Sequence, residues 1–163
     1  MATGEGGIEG LGEDALGAPR FHHLGVAVRD LQRGAESLAR LFGFRVLAGP
    51  FDDPLQGVAV SFVGSGAPGE ILYELVAPLA GGGPSPIDRI LERGNTSYHV
   101  CYEVRDLDET LARFLAEGCA RISGPVAAVA FGGRRIAWVV MPTRHIVELL
   151  EAERGSPADV AAI

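Results

Sequence analysis

The chain repeats one motif, and the repeat limits the folds that it can adopt. Residues 23–31 read HLGVAVRDL and residues 99–107 read HVCYEVRDL, so the two copies start 76 positions apart (99 − 23). A second pair of similar segments follows, ILYELVAP at residues 71–78 and HIVELLEA at residues 145–152. The duplication predicts two similar modules, each opened by the first motif and closed by the second.

Each module supplies one histidine and one glutamate on segments that read as strands. The pairs are His23 with Glu74 and His99 with Glu148. Two similar modules related by a pseudo-twofold axis would bring the four side chains toward one point. Two imidazoles and two carboxylates around a common centre form a donor set for a divalent cation. The repeat therefore predicts a metal site.

The order of apolar, turn and capping residues predicts one βαβββ unit in the first half. Asp30 has the position of a helix N-cap and Gly43 that of a helix stop, with apolar residues at helical spacing between them. Segments rich in β-forming residues, separated by Gly, Pro and Asp clusters, predict the strands. The predicted elements are a strand over 21–28, a helix over 31–42, and strands over 44–47, 58–63 and 71–76.

The second half follows the same plan after a linker rich in Gly and Pro. Ser85 as N-cap and Pro86 at the first helical position predict a short helix through Glu92. Asp106 and Glu109 have the spacing of a capping box ahead of a helix through about residue 117. The predicted strands cover 97–104, 121–126, 135–141 and 146–150. The sequence therefore predicts an α+β fold made of two tandem βαβββ modules.

Length, composition and charge fit one compact domain. The chain has 163 residues, of which 47% are hydrophobic and 21% charged, enough for a core and a polar surface. A net charge of −7 argues against nucleic-acid partners, and no apolar run is long enough to cross a membrane. Cys101 and Cys119 form no disulfide framework. With no signal-peptide pattern at the start, the expected location is cytoplasmic.

The expected domain boundaries follow from composition. The start of the chain, rich in Gly and acidic residues, predicts a disordered leader, and the weak composition at the other end predicts a flexible tail. Between them, residues 20–152 are expected to form a single domain. Its expected parts are module 1 over 20–80, a linker with the short helix over 81–96, and module 2 over 97–152, with the leader over 1–19 and the tail over 153–163.

Strand alternation predicts which side chains share a face with the four candidate ligands. His99, Cys101 and Glu103 are expected on the inner face, whereas His22 and His145 are expected on the opposite face or at an edge. Cys101 is expected to line a cavity as a small residue, because no general base adjoins it. Glu103 either contacts a ligand or is solvated at its strand end. Carboxylates on such an apolar face are costly unless paired or bound to metal.

In these motifs the chain resembles the vicinal oxygen chelate superfamily, which contains glyoxalases, extradiol dioxygenases, and bleomycin- and fosfomycin-resistance proteins. Within it, the chain looks most like the methylmalonyl-CoA epimerases. The resemblance covers residues 19–152 and implies a cupped mixed sheet with a metal at its base. The matching segments are HLGVAV (23–28), LVAP (75–78), SPIDRILERG (85–94), YHVCYEV (98–104) and VELLE (147–151).

The resemblance also implies roles for single residues. His23, Glu74, His99 and Glu148 match the metal ligands of the family. Mixed nitrogen and oxygen donors suit Co²⁺, Ni²⁺, Mn²⁺, Fe²⁺ or Zn²⁺. Glu74 and Glu148 are the expected catalytic residues, moving an α-proton on opposite faces of the substrate while the metal stabilises an enolate. A homodimer is also expected from the superfamily.

The expected substrate is a small acyl thioester, linked to CoA or to a carrier protein. Arg134 and Arg135 lie in a segment that resembles the family's hairpin near the substrate. They either hold a phosphate or carboxylate by a forked contact or are solvated. Cys101 and Glu103 complete the expected substrate contacts. Some epimerases have a further glutamate where this chain has Val60.

Two classes of function stay open on this scaffold. The first is a metal-dependent isomerase, epimerase or glyoxalase-type lyase that abstracts an α-proton. The second is a ligand-binding, antibiotic-resistance or biosynthetic tailoring protein, which typically loses metal ligands and gains aromatic residues in the trough. Four retained ligand positions, with one Trp and three Tyr in the chain, favour the enzyme. A ring-opening dioxygenase is a weaker alternative, because such enzymes usually use two histidines and one carboxylate.

Overall fold

The fold is given by a computed structural model that describes residues 18–94 and 96–153. Its elements are β1 Arg20–Ala27, α1 Leu31–Phe42, β2 Arg45–Asp53, β3 Val58–Gly64, β4 Tyr73–Pro78, α2 Asp88–Arg93, β5 Ser97–Val104, α3 Leu107–Ala116, β6 Ala120–Ala127, a 3-10 turn Val129–Phe131, β7 Arg135–Val140 and β8 Ile146–Glu151. The predicted leader and tail lie outside the described residues, apart from residues 18, 19 and 153. No helix in the described ranges is long and apolar enough to cross a membrane.

The eight strands form one curled mixed sheet, with the order β2-β3-β4-β1-β5-β8-β7-β6. Within each half, the first strand pairs in parallel with the last, β1 with β4 and β5 with β8. The halves meet where β1 pairs antiparallel with β5. The strand order of one half is thus repeated in reverse by the other, as a twofold axis at this junction requires. The predicted α+β fold of two βαβββ modules is confirmed.

Two register shifts interrupt the pairing of β1 with β5. On β1, His22 is an extra residue between the Phe21–Tyr102 and His23–Cys101 pairs. On β5, the pairing passes from His99 to Ser97 while β1 advances by one residue, so Tyr98 is the extra residue. Such bulges change the face to which a side chain points. His22 and Tyr98 are equivalent positions of the 76-residue repeat.

The caps of the two longer helices agree with the sequence. The Asp30 carboxylate accepts a hydrogen bond from the Arg33 backbone N–H at 2.8 Å, and Asp106 accepts one from the Glu109 N–H at the same distance. Gly43 ends α1 in the left-handed conformation, with φ of 70°, where a side chain would be disfavoured.

Three predicted elements have different bounds in the structure. β4 covers Tyr73–Pro78 rather than 71–76. The short helix begins at Asp88, and its carboxylate accepts from the Ser85 backbone N–H at 2.7 Å. The Ser85 backbone N–H is thus the donor, whereas in the predicted cap the Ser85 side chain would be the acceptor. β2 extends to Asp53 because register shifts between Val46 and Phe51 accommodate Gly49 and Pro50 without ending the edge strand.

The two helices cover the outer face of the sheet to different extents. In the second half, Leu107 and Leu111 of α3 are buried against Val139, Val147 and Leu149. In the first half, no residue of α1 is fully buried. The inner face carries two further apolar clusters, around Val60 and Val76 and around Phe62 and Phe131. The inner-face cluster around Phe62 and Phe131 contains residues of both halves.

Candidate metal centre

The four central strands each place one candidate ligand on the inner face of the sheet. His23 is on β1, Glu74 on β4, His99 on β5 and Glu148 on β8. The register explains their convergence, because both Glu74 and His99 lie opposite Gly25, and both His23 and Glu148 lie opposite Cys101. All four are buried, with exposed fractions of 0% to 5%.

The donor atoms of these side chains form one compact group. The Nε2 atoms of His23 and His99 are 3.1 Å apart. The Oε2 atom of Glu74 lies 3.3 Å from Nε2 of His23 and 3.4 Å from Nε2 of His99. The Oε2 atom of Glu148 lies 3.2 Å and 3.7 Å from the same two nitrogens. The structure therefore brings together all four side chains that the sequence selected.

This arrangement fits a divalent cation. Donor atoms about 2.0–2.2 Å from a common ion are about 2.8–3.6 Å from their neighbours in tetrahedral or octahedral arrangements. The observed separations are near that range. Within the described ranges, Glu148 Oε2 is buried without a hydrogen-bond partner, and burying two carboxylates is costly unless positive charge lies close to them. A cation among the four donors would satisfy both needs.

The charges of the group oppose the effects of burial. Burial of the imidazole would lower the pKa of His23, but the carboxylates of Glu148 and Glu74 outweigh it and raise this pKa to about 9. Burial would raise the pKa of Glu74, but contacts with His23 and His99 lower it to about 2. The cluster therefore attracts positive charge to its centre.

His22 also reaches this cluster, and its predicted placement was wrong. The bulge turns its ring to the inner face, where Nδ1 of His22 lies 2.9 Å from Nδ1 of His23. The His22 ring also packs edge-on against Phe131, with ring centres 5.6 Å apart. Burial and the neighbouring His23 lower the pKa of His22 to about 4. His145, by contrast, is exposed and lies outside the cluster.

Aromatic rings enclose the two histidines. Phe131 stacks on the His23 ring and Phe62 meets it at an angle, with ring centres 5.9 and 5.7 Å away. On the other side, Tyr98 and Trp138 pack edge-on against the His99 ring, at 4.5 and 4.7 Å. Both imidazoles are buried among these rings, with exposed fractions of 0% for His23 and 3% for His99.

A cavity of 360 Å³ opens beside the cluster, a volume in the range of small-molecule sites. Glu74 and Glu148 are among the residues that line it. Among the described residues, its only other charged lining side chain is Asp53, whose carboxylate is bound to Gln56. The apolar walls include Val58, Val60, Val76, Ile87, Tyr98 and Trp138. The two carboxylates therefore face both the donor cluster and the space for a ligand.

The other predicted substrate contacts do not line this cavity. Arg134 donates to Glu103 at 2.8 Å and lies over the Phe131 ring. Arg135 binds Glu151 and Asp108 on the outer face of β7, beside α3. Cys101 is fully buried beside Glu148, and its thiol pKa is raised by burial and by that carboxylate. Substrate contact by these residues stays a prediction without positional support.

Sequence reasoning missed the aromatic residues and the bulges. Tyr98, Phe131 and Trp138 line the cavity. Of these three, only Trp138 could be placed on the inner face by strand alternation, because it lies two residues after Ile136 on β7. The signal for Tyr98 was present in the repeat, because it occupies the place of His22 one residue before the ligand histidine. Strict alternation predicts the wrong face for His22 and Tyr98, because an extra residue in a strand changes the face to which its side chains point.

The chain is similar in sequence and in fold to several known proteins. The ethylmalonyl-CoA/methylmalonyl-CoA epimerase of Cereibacter sphaeroides is 37% identical over 107 residues, covering 64% of this chain and 75% of that protein. The mitochondrial methylmalonyl-CoA epimerase of Dictyostelium discoideum is 27% identical over 139 residues, covering 84% and 80%. The crystal structure of methylmalonyl-CoA epimerase from Mycobacterium tuberculosis has a TM-score of 0.67 at 25% identity, covering 88% of this chain and 92% of that one.

The family assignment rests on a match to a model of a whole family. A family model described as the glyoxalase/bleomycin resistance protein/dioxygenase superfamily matches residues 22–138, from the bulge on β1 to the inner face of β7. It spans both modules and three of the four converging side chains. The resemblance seen in the sequence is thereby confirmed, and the chain belongs to the glyoxalase/bleomycin resistance protein/dioxygenase superfamily.

Proposed function

We propose that the protein is a metal-dependent epimerase that moves the α-proton of an acyl thioester of the methylmalonyl-CoA type. The observation that carries this proposal is the placement of Glu74 and Glu148, which belong to the donor cluster and also line the cavity. The names of the relatives from Cereibacter and Dictyostelium support the reaction and the substrate class.

Epimerisation needs a proton carrier on each face of the reacting carbon. Glu74 and Glu148 come from opposite modules and approach the cluster from β4 and β8, on either side of the two histidine strands. Either carboxylate can take the α-proton from its own face, while the other returns a proton to the opposite face. A divalent cation held by His23, Glu74, His99 and Glu148 would supply Lewis-acid stabilisation of the charge that develops on the substrate's carbonyl oxygen.

The cavity walls determine which part of the substrate fits beside the carboxylates. Val60, Val76 and Trp138 offer an apolar surface for an alkyl substituent on the reacting carbon, and they keep water from the proton being transferred. No cationic side chain in the described ranges lines the cavity. The phosphates of a CoA or carrier-protein arm are therefore expected to lie outside it.

The test is hydrogen exchange at the α-carbon. The purified protein is stripped with a chelator, reloaded with one of Co²⁺, Ni²⁺, Mn²⁺, Fe²⁺ or Zn²⁺, and incubated with a single epimer of methylmalonyl-CoA in D₂O. NMR follows loss of the α-proton signal, and a stereospecific assay follows formation of the other epimer. We expect both with at least one ion and neither in the stripped protein. Equal activity in the stripped protein would refute the metal dependence.

Val60 favours a second candidate, an isomerase or lyase of the glyoxalase type. Where some epimerases carry a further glutamate, the cavity wall here is apolar, so fewer acids are available for proton transfer on two faces. A proton shift between adjacent carbons of a hemithioacetal uses one base on one face. Product formation from methylglyoxal and a thiol, without exchange of methylmalonyl-CoA, would select this candidate.

Homodimer formation and a cytoplasmic location stay predictions from the sequence.

A further inference from the structure

The residue before the first ligand histidine has a contact that the proposed reaction does not use. The register shift on β1 leaves His22 as an extra residue and turns its ring toward His23. The two Nδ1 atoms lie 2.9 Å apart, which is within hydrogen-bond distance. Phe131 contacts both rings and so restricts their movement. The contact is part of the inner face rather than an exposed pair of side chains.

The chemistry of imidazole fixes the direction of this bond once a cation is bound. Nε2 of His23 points into the donor cluster, 3.1 Å from Nε2 of His99. A neutral imidazole carries one N–H and one acceptor nitrogen. If Nε2 of His23 is the acceptor for a metal ion, its proton must lie on Nδ1. The nearby Nδ1 of His22 must then be the unprotonated partner that accepts it.

We infer that His22 is a positioning residue for the metal centre: its Nδ1 accepts the hydrogen bond of the His23 Nδ1–H and thereby directs the His23 Nε2 lone pair at the cation. The inference rests on the proposed metal dependence. Ligating histidines usually donate the second ring N–H to a carboxylate, carbonyl or water, and this bond fixes the tautomer and the ring orientation. Here a second imidazole has that function.

A different use of His22 is disfavoured by the same contacts. His22, His23 and Cys101 also lie close enough to form a second group of possible metal donors. That group would require Nδ1 of His23 to bind one ion while its Nε2 binds another, with no proton on the ring. One ion per chain is therefore expected.

The inference is tested by zinc affinity rather than by activity. The stripped wild-type protein, His22→Phe and His22→Asn are titrated with Zn²⁺ against a chromophoric chelator at one fixed pH. Phe keeps an aromatic ring on Phe131 but removes the acceptor, and we expect an affinity loss of about 10–100-fold. Asn restores an acceptor oxygen, and its affinity should stay within about threefold of wild type.

The control removes an imidazole elsewhere. His145 is exposed and bonded to Thr143, so His145→Asn should bind zinc like wild type. Nitrogen-15 NMR of the zinc-loaded wild type supplies a second readout, in which the proton on Nδ1 of His23 should be shared with an unprotonated Nδ1 of His22. This readout decides the question even if the His22→Phe chain does not fold.

Four results would overturn the inference, of which the first three are independent of the Asn variant. They are equal zinc affinity of His22→Phe and wild type, a proton on Nδ1 of His22 facing an unprotonated His23, or two zinc ions per chain. An Asn variant as weak as the Phe variant is the fourth, because restoring an acceptor at this position would then fail to restore zinc affinity. Failure of the wild type itself to bind any of the five divalent ions would instead refute the proposed metal dependence.

Discussion

In the first module the ligand histidine follows His22, and in the second module it follows Tyr98, the equivalent residue 76 positions later. Both residues sit at bulges and face inward. His23 is held by a hydrogen-bond contact through its second nitrogen, whereas Nδ1 of His99 is buried without a hydrogen-bond partner in the described part of the chain. His99 is held by the rings of Tyr98 and Trp138. Ligands can thus be kept through a duplication while the groups that orient them diverge.

The positions opposite the histidines differ in the same way. Gly25 and Cys101 are equivalent in the repeat, and each lies across the β1–β5 junction from a ligand histidine, Gly25 opposite His99 and Cys101 opposite His23. A Cβ atom at Gly25 would overlap the ring of His99. The lack of a side chain at Gly25 in the first module therefore leaves space for the His99 ring of the second.

The largest expected effect tests whether the two carboxylates have mirror-image roles. Glu148→Gln and Glu74→Gln each keep a ligand oxygen but lose the ability to carry a proton. Interconversion of epimers should fall by about 10²–10⁴-fold in both variants. Each variant should still exchange the α-proton of one epimer in D₂O, and the exchanging epimer should differ between the two. NMR with each pure epimer measures this.

If both variants exchange the α-proton of the same epimer, the two carboxylates do not act on opposite faces of the substrate. Normal interconversion in Glu148→Gln would remove Glu148 from proton transfer altogether.

The helices give the next largest contrast. Leu107 and Leu31 are equivalent first residues of α3 and α1, but Leu107 is 0% exposed whereas Leu31 is half-buried. Leu107→Ala should lower the free energy of unfolding by about 3 kcal/mol because it leaves a cavity. Leu31→Ala should lower it by about 1 kcal/mol. Urea unfolding of the two variants compares them, and equal losses would mean that α1 packs as tightly as α3 in solution.

Gly25 and Cys101 give a smaller contrast, measured by zinc titration. Gly25→Ala should lower zinc affinity by about 10–100-fold, since the added methyl group displaces the His99 ring. Cys101→Ala replaces a buried thiol by a smaller group and should change the affinity by less than about threefold. Unchanged affinity in Gly25→Ala would show that the His99 ring has room to move.

The helix caps provide the smallest effect and the closest match between modules. Asp30→Ala and Asp106→Ala each remove a hydrogen bond of 2.8 Å to a backbone N–H. Each substitution should lower the free energy of unfolding by about 1 kcal/mol. Thermal or urea unfolding of the pair measures the loss, and a clear difference between them would show that the two helix starts are not equivalent.

Much of this molecule follows from local rules in its sequence. Apolar spacing and the capping aspartates predicted the bounds of α1 correctly and placed α3 to within a residue, and the repeat selected the four converging side chains. What failed depends on pairing between distant strands. The bulges at His22 and Tyr98 exist only relative to the opposite strand. Likewise, the arginine partners at Glu103 and Glu151 are set by strand register, which composition does not reveal.

The junction between β1 and β5 has a consequence for how the chain reaches its native alignment. A slip of one residue along that junction would turn His23 and His99 away from each other. A cation bound at the native alignment would link the two repeats through its ligands. It would thereby stabilise this alignment of β1 and β5 relative to shifted alignments. At a free ion concentration of 100 times its dissociation constant, such binding would stabilise the folded chain by about 2.7 kcal/mol.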